Sequence, residues 1–266
     1  MTKPKILVLD MDGTLLRADG SMHPDDIAWL CEGLPIPFIL ATGRSLGSLR
    51  LGFEINSLFH GKKLDFPLIL NNGGLVYLPG EEVLFYKPFA KEEQKALLTA
   101  IREFPQATFF FQTQDEVYLA WETPDSTRHA EKYDYRPVLA DLDRFETPFS
   151  KLMCLSDQPT LLVDFARSLS HLKLEGNFSL SDIYEVSPLG IDKGSALQRL
   201  LPTLGWQDGF LAVVGDGDND LGMFAVANIS FAPTHATPSV KAAANALIDP
   251  SERGIIQPVL EKLGLL

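Results

Sequence analysis

Four short apolar runs in this chain end in the same way. Ile6-Leu7-Val8-Leu9 runs into Asp10-Met11-Asp12-Gly13-Thr14, residues 37–40 into Ala41-Thr42-Gly43-Arg44, residues 67–70 into Asn71-Asn72-Gly73-Gly74, and residues 210–214 into Gly215-Asp216-Gly217-Asp218-Asn219-Asp220. Continuous apolar runs of this kind read as strands buried on both faces, the habit of a parallel sheet covered by helices. Such sheets bind ligands beyond the carboxyl ends of their strands, so the polar residues that close each run collect at one edge. There they amount to two carboxylates on the first strand, a hydroxyl, amides and a second acidic cluster, a set suited to a hard cation and a phosphate.

Taken singly, the pieces have plainer readings. Asp-x-Asp-Gly is also what a turn uses, with Asx hydrogen bonds and a glycine at positive φ. A calcium loop of the EF-hand type does not fit the second cluster, because Leu221 stands where that loop needs glycine and Ala227 where it needs glutamate.

Residues 5–72 alternate strand and helix, with strands over 5–10, 36–41 and 67–71 and helices over 24–33 and 45–57, the βαβ pattern of a parallel sheet. From about residue 80 the texture changes. Short strands over 82–87, 108–112 and 117–121, a hairpin turn at Gln114-Asp115-Glu116 and an amphipathic helix over 91–104 predict an inserted α+β unit. A strand over 150–155 and a helix over 160–169 follow, and the alternation resumes near residues 184–187, to end with a helix over 252–263. The expected architecture is α/β, a doubly wound, mostly parallel Rossmann-like core from residues 1–79 and 187–266, with an α+β cap domain over 80–186. Pro79-Gly80 and Ser187-Pro188-Leu189-Gly190 are the expected hinges.

Composition narrows the function. At 266 residues and 45% hydrophobic content the chain can bury a large core, while a net charge of -12 with no basic run argues against broad nucleic-acid or anionic-membrane binding. Cys31 and Cys154 stand far apart, the five histidines show no metal-site spacing, and no apolar run approaches the ~20 residues of a membrane span. With no apolar signal region before the first strand, a cytoplasmic protein is expected, and two glycosylation sequons, Asn177-Phe178-Ser179 and Asn228-Ile229-Ser230, read as coincidences. The sequence leaves monomer and homodimer open.

Asp10-x-Asp12-Gly-Thr-Leu, Thr42-Gly-Arg44, Gly190-x-Asp192-Lys193-Gly194 and Gly215-Asp216-x-x-Asn219-Asp220-x-x-Met223 together resemble the four ordered motifs of the haloacid dehalogenase superfamily. An insertion between the second and third motifs resembles the Cof-type phosphatases, whose core carries a type IIB cap. The resemblance implies a Mg²⁺-dependent phosphatase acting on phosphomonoesters of small metabolites, sugar phosphates first and phosphorylated cofactors such as pyridoxal phosphate or flavin mononucleotide besides. By the same resemblance Asp10 is the nucleophile and Asp12 the general acid and base. Mg²⁺ is held by the Asp10 and Asp216 carboxylates and the Asp12 carbonyl, with Asp220 in the same acidic cluster. Lys193 and the Thr42 hydroxyl stabilise the transferring phosphoryl group, with the backbone N–H groups of Met11 and Gly43 and the side chains of Asn72 and Asn219.

Arg44 could reach substrate or cap, or form a surface salt bridge; Asp192 and Asp218 suit helix caps as well as chemistry. The cap aromatics, Phe109-Phe110-Phe111, Tyr118 and Trp121, are better placed for a cap core than for ligand contact. Residues 227–234 depart from the family's usual run of small residues and glycine, at the rim rather than in the motifs. Two other readings stay open, a phosphomutase of the phosphomannomutase type and a phosphosugar-binding regulator on a retired enzyme scaffold.

Overall fold

The computed structural model describes residues 3–132, 136–180 and 182–266. From the N-terminal side run β1 (Lys5–Leu9), α1 (Pro24–Glu32), β2 (Phe38–Ala41), α2 (Leu46–Ile55), β3 (Leu68–Leu70), β4 (Leu75–Leu78) and β5 (Glu82–Tyr86). The middle supplies α3 (Lys91–Ala100), β6 (Thr108–Gln112), β7 (Val117–Leu119), α4 (Pro124–Lys132), β8 (Val138–Leu139), β9 (Lys151–Leu155), α5 (Pro159–Ser168), β10 (Leu174–Leu180) and β11 (Ile183–Pro188). The last part is α6 (Lys193–Thr203), β12 (Phe210–Val214), α7 (Leu221–Val226), β13 (Ile229–Pro233), α8 (Pro238–Ala243), β14 (Ala246–Ile248) and α9 (Ile256–Lys262).

These strands form two sheets. The larger has the order β14-β13-β12-β1-β2-β3-β4-β5, and the smaller β10-β11-β9-β6-β7-β8. Strands β14 to β3 of the larger sheet pair in parallel, and β4 and β5 extend it by antiparallel pairing. Strand β1 lies between β12 and β2, and its apolar run is buried on both faces as its sequence requires. Leu7 and Leu9 join one core cluster, Ile6 and Val8 the other.

The smaller sheet is antiparallel except for the β7–β8 pair. Phe109, Phe111, Leu152 and Cys154 pack on one of its faces, Phe110, Met153, Leu155 and Ile183 on the other. The three phenylalanines are fully buried, and Tyr118 and Trp121 pack against the first cluster, so the aromatics do form a core.

Several expectations change. The strand Glu82–Tyr86, placed by sequence in the inserted unit, pairs with β4 as the edge of the larger sheet, and Pro79-Gly80 is the hairpin turn between them rather than a hinge. The chain therefore leaves the larger sheet after Tyr86, beyond the expected boundary at 80. The strand Ile183–Pro188 pairs with β9 and β10, so the alternation of the larger sheet resumes only with α6. The expected helix over 91–104 is α3 followed by a 3₁₀ turn at Ile101–Glu103, and the C-terminal helix begins at Ile256 rather than near 252.

Candidate active site

The residues that end β1, β2, β3 and β12 meet at one edge of the larger sheet. The Asp10 N–H still donates to the Val214 carbonyl at 2.9 Å, which keeps Asp10 in the sheet with its carboxyl buried. Gly13 then takes φ +80°, and a Cβ there would strike the Asp216 carboxylate, so only glycine lets the first and last acidic segments approach so closely. The turn carries Asp12 out to Arg44, whose Nε and Nη2 grip its two oxygens at 2.8 and 2.6 Å. Arg44 does form a salt bridge, with the guanidinium mostly buried and the carboxylate half-exposed, to the expected acid and base, and it is held in turn by the Ser48 carbonyl at 3.1 Å.

From β2, Thr42 is fully buried, and its Oγ1 accepts the Arg44 N–H at 3.2 Å. From β3, Asn71 and Asn72 both take positive φ before Gly73, a geometry asparagine tolerates, and this aims the Asn72 side chain along the edge. Its Oδ1 accepts Asn219 Nδ2 at 3.1 Å.

Lys193 opens α6, whose N-cap Asp192 accepts the Ser195 N–H at 2.6 Å. Its ammonium is buried and bridges Asp10 Oδ1 at 2.6 Å and Asp220 Oδ1 at 2.5 Å. Asp220 Oδ2 takes the backbone N–H groups of Asp216 and Gly217 at 2.9 and 3.0 Å, so one oxygen of Asp220 holds the loop and the other holds Lys193. Asp218 receives the Thr237 hydroxyl at 2.9 Å and, like Asp192, serves local structure. Met11 is buried against Gly52 of α2, which leaves only its backbone at the edge.

The charges do not balance. Oxygens of Asp10, Asp216 and Asp220 lie within 4.8 Å of one another, facing the single ammonium of Lys193. Burial, and then the Asp220 charge, push the Asp10 carboxyl well above the usual range, and the same two causes lift Asp216 to about 6. Burial pulls the Lys193 ammonium down, but the charges of Asp10 and Asp220 outweigh it and its pKa is raised. An all-oxygen set with an excess of negative charge fits a small divalent cation such as Mg²⁺. The Asp12 carboxylate, turned to Arg44, stands outside that set.

The haloacid dehalogenase-like hydrolase family model matches residues 7–258. The chain belongs to that family. The hydrolase is 26% identical to a phosphoglycolate phosphatase of Methanopyrus kandleri over 97% of this chain and 96% of the relative. It is 24% identical to the 5-amino-6-(5-phospho-D-ribitylamino)uracil phosphatase YbjI of Escherichia coli, again over 97% and 96% of the two chains. In fold it is similar to TM0651 from Thermotoga maritima, with a TM-score of 0.80 at 24% identity, covering 98% and 97% of the chains. It is likewise similar to the subclass IIB sugar phosphatase BT4131, with a TM-score of 0.81 at 19% identity, covering 98% and 100%. The resemblance read from the four motifs holds.

The hydrolase also places against this edge residues that sequence reasoning did not select. Lys151 and Glu185 form a buried ion pair at 2.5 Å on the smaller sheet, and His129 of α4 is buried nearby. The only signal for the pair was a single charge in each of two apolar strands, Lys151-Leu-Met-Cys-Leu and Tyr184-Glu185-Val186. A cavity of about 120 Å³ lies between the two sheets beside Asn72, Asn177, Glu185 and Asn219. No helix among the described residues is long and apolar enough to cross a membrane.

Proposed function

We propose that this hydrolase removes phosphate from phosphomonoesters of small metabolites, sugar phosphates foremost, through an aspartyl-phosphate on Asp10, with Mg²⁺ as cofactor. The observation that carries the reading is Lys193, a buried ammonium bridging the Asp10 and Asp220 carboxylates at the strand edge that also bears Thr42 and Asp216. That arrangement holds a nucleophile beside fixed positive charge in a water-poor site, which is what phosphoryl transfer needs from a protein.

In the first half-reaction an Asp10 oxygen bonds to phosphorus, the ester P–O bond breaks, and Asp12 gives its proton to the departing oxygen. In the second, Asp12 takes a proton from water, the water oxygen bonds to phosphorus, and the Asp10–phosphorus bond breaks. Arg44 aims the Asp12 carboxyl throughout. Bound by the Asp10 and Asp216 carboxylates and the Asp12 carbonyl, Mg²⁺ would supply the positive charge that offsets repulsion between a carboxylate and a phosphate dianion. The Thr42 hydroxyl, Lys193, Asn219 and the Met11 and Gly43 N–H groups hold the phosphoryl oxygens. The smaller sheet acts as the cap, and the cavity beneath it suits a small leaving group.

The two phosphatases named above support the reaction, while their different substrates leave the leaving group open. Phosphate release from a panel of phosphorylated metabolites, with Mg²⁺ and with excess chelator, tests the proposal. Release should require the cation and fall by at least about 10³-fold in Asp10→Asn, the scale on which removal of a covalent nucleophile acts. Metal-independent release, or near-normal turnover by the variant, overturns it.

A further inference from the structure

Lys151 and Glu185 have no part in the chemistry proposed above, yet they are the charged groups through which the smaller sheet meets the catalytic edge. Lys151 begins β9 and Glu185 sits on neighbouring β11, opposite Met153. Both therefore project from the face that carries Met153, away from the aromatic cluster that holds Leu152 and Cys154. Their ion pair is almost wholly buried. A buried pair repays its desolvation only when further hydrogen bonds complete it. Here the larger sheet completes both ends. Lys151 Nζ donates to the Gly43 carbonyl at 3.1 Å, and Glu185 Oε2 accepts Asn72 Nδ2 at 2.7 Å.

Each of those contacts is the first link of a chain. The Gly43 carbonyl belongs to the same peptide group as the Arg44 N–H, which donates to Thr42 Oγ1 at 3.2 Å. A cation on that carbonyl polarises the peptide, strengthens the bond to Thr42 and makes the hydroxyl a better donor to whatever it faces. On the other arm, the Asn72 amide that donates to Glu185 accepts Asn219 Nδ2 through its Oδ1 at 3.1 Å, which fixes the orientation of Asn219. Gly43 is what lets the arms converge. A Cβ there would lie 2.8 Å from Asn72 Oδ1 and 3.1 Å from Lys151 Nζ.

We propose that Lys151 and Glu185 are positioning residues that transmit the seating of the smaller sheet to the phosphoryl-binding groups, Lys151 through the Gly43–Arg44 peptide to the Thr42 hydroxyl, and Glu185 through the Asn72 amide to Asn219. The inference rests on the reading of Thr42 and Asn219 as phosphoryl ligands given under Proposed function. Affinity for the phosphoryl group is then set in part by two side chains of the smaller sheet that act through other residues.

Orthovanadate, a phosphate mimic with no leaving group, is the probe. Its inhibition constant is measured with Mg²⁺ for the wild type, Thr42→Val, Lys151→Met, Thr42→Val/Lys151→Met and Lys151→Met/Glu185→Gln, with p-nitrophenyl phosphate as reporter substrate. Lys151→Met should weaken orthovanadate about tenfold, the scale of one charge-assisted hydrogen bond. It should add little in the Thr42→Val background. The Lys151→Met/Glu185→Gln variant, which buries no unpaired charge, should stay weak. Full additivity of Lys151→Met with Thr42→Val, or wild-type affinity in the Lys151→Met/Glu185→Gln variant, overturns the relay and leaves the phosphatase reading intact. An unchanged inhibition constant in Thr42→Val overturns the reading of the site itself, and the relay with it.

Discussion

Arg44 spans Asp12 with two nitrogens of one planar fork and is anchored behind by Ser48, which fixes a carboxyl on a half-exposed turn. Lysine keeps the charge and loses the fork. Arg44→Lys should therefore lower kcat by about tenfold, a part of what a placed acid and base contributes, measured by steady-state phosphate release. His129 answers to pH instead. Burial, and then the charges of Lys151 and Lys132, push its imidazole down to about 3. The unfolded chain takes up that proton near pH 6.5, so between the two values the unfolded state holds more protons and stability rises with pH. Lowering the pH from 7 to 5 should cost about 2 kcal/mol from this side chain. Because the raised carboxyls of Asp10 and Asp216 gain stability over the same span, the loss is read as a difference: from pH 7 to 5 the urea midpoint should move less favourably in the wild type than in His129→Gln. Asp10, Asp12 and Lys193 were legible because their meaning lies in spacing along the chain. Lys151, Glu185 and His129 were not, because a lone charge in an apolar strand, or one histidine among the polar residues of α4, acquires its partners only when another element is laid across it.

Where elements meet, glycines decide how closely. A Cβ on Gly194, in the first turn of α6, would strike the backbone carbonyl of Gly222 in α7, and backbone cannot swing aside as a side chain can. Gly194→Ala should cost about 1–3 kcal/mol, the range for overpacking, read as a lower urea midpoint. It should also reduce turnover, because α6 carries Lys193. The parallel strands β1, β2, β3 and β12 were readable from uninterrupted apolar runs. The hairpin of β4 and β5 was not, since half-exposed strands such as β5 look alike whichever sheet they join. Pairing decides membership, and pairing is a long-range property. The short strands β13 and β14 are marked neither by length nor by a continuous apolar run, and they are placed by pairing, β13 on β12 and β14 on β13.

For the molecule as a whole, the uncompensated acidic edge is a store of strain that a cation should release. Mg²⁺ at a hundred times its dissociation constant should raise stability by about 2.7 kcal/mol, seen as a higher thermal midpoint that chelator reverses. Asp216→Asn should abolish the rise. The two ends of the chain are also joined. Asp26 of α1 accepts the N–H groups of Ile255 and Ile256 at 3.0 and 2.9 Å, where α9 begins, and Lys5 donates to the Leu263 carbonyl at 2.6 Å. The central strand is paired the same way, since Lys5 lies opposite Phe210. A ribosome adding 5–20 residues per second reaches β12 about 10–40 s after β1 has emerged. For all of that time one flank of β1 has no permanent neighbour, and for most of it Asp10 has no Lys193 beside it. The nascent polypeptide thus stays inert until α6 and β12 have followed β1, and in the interval its central strand depends on whatever in the cell will shield it.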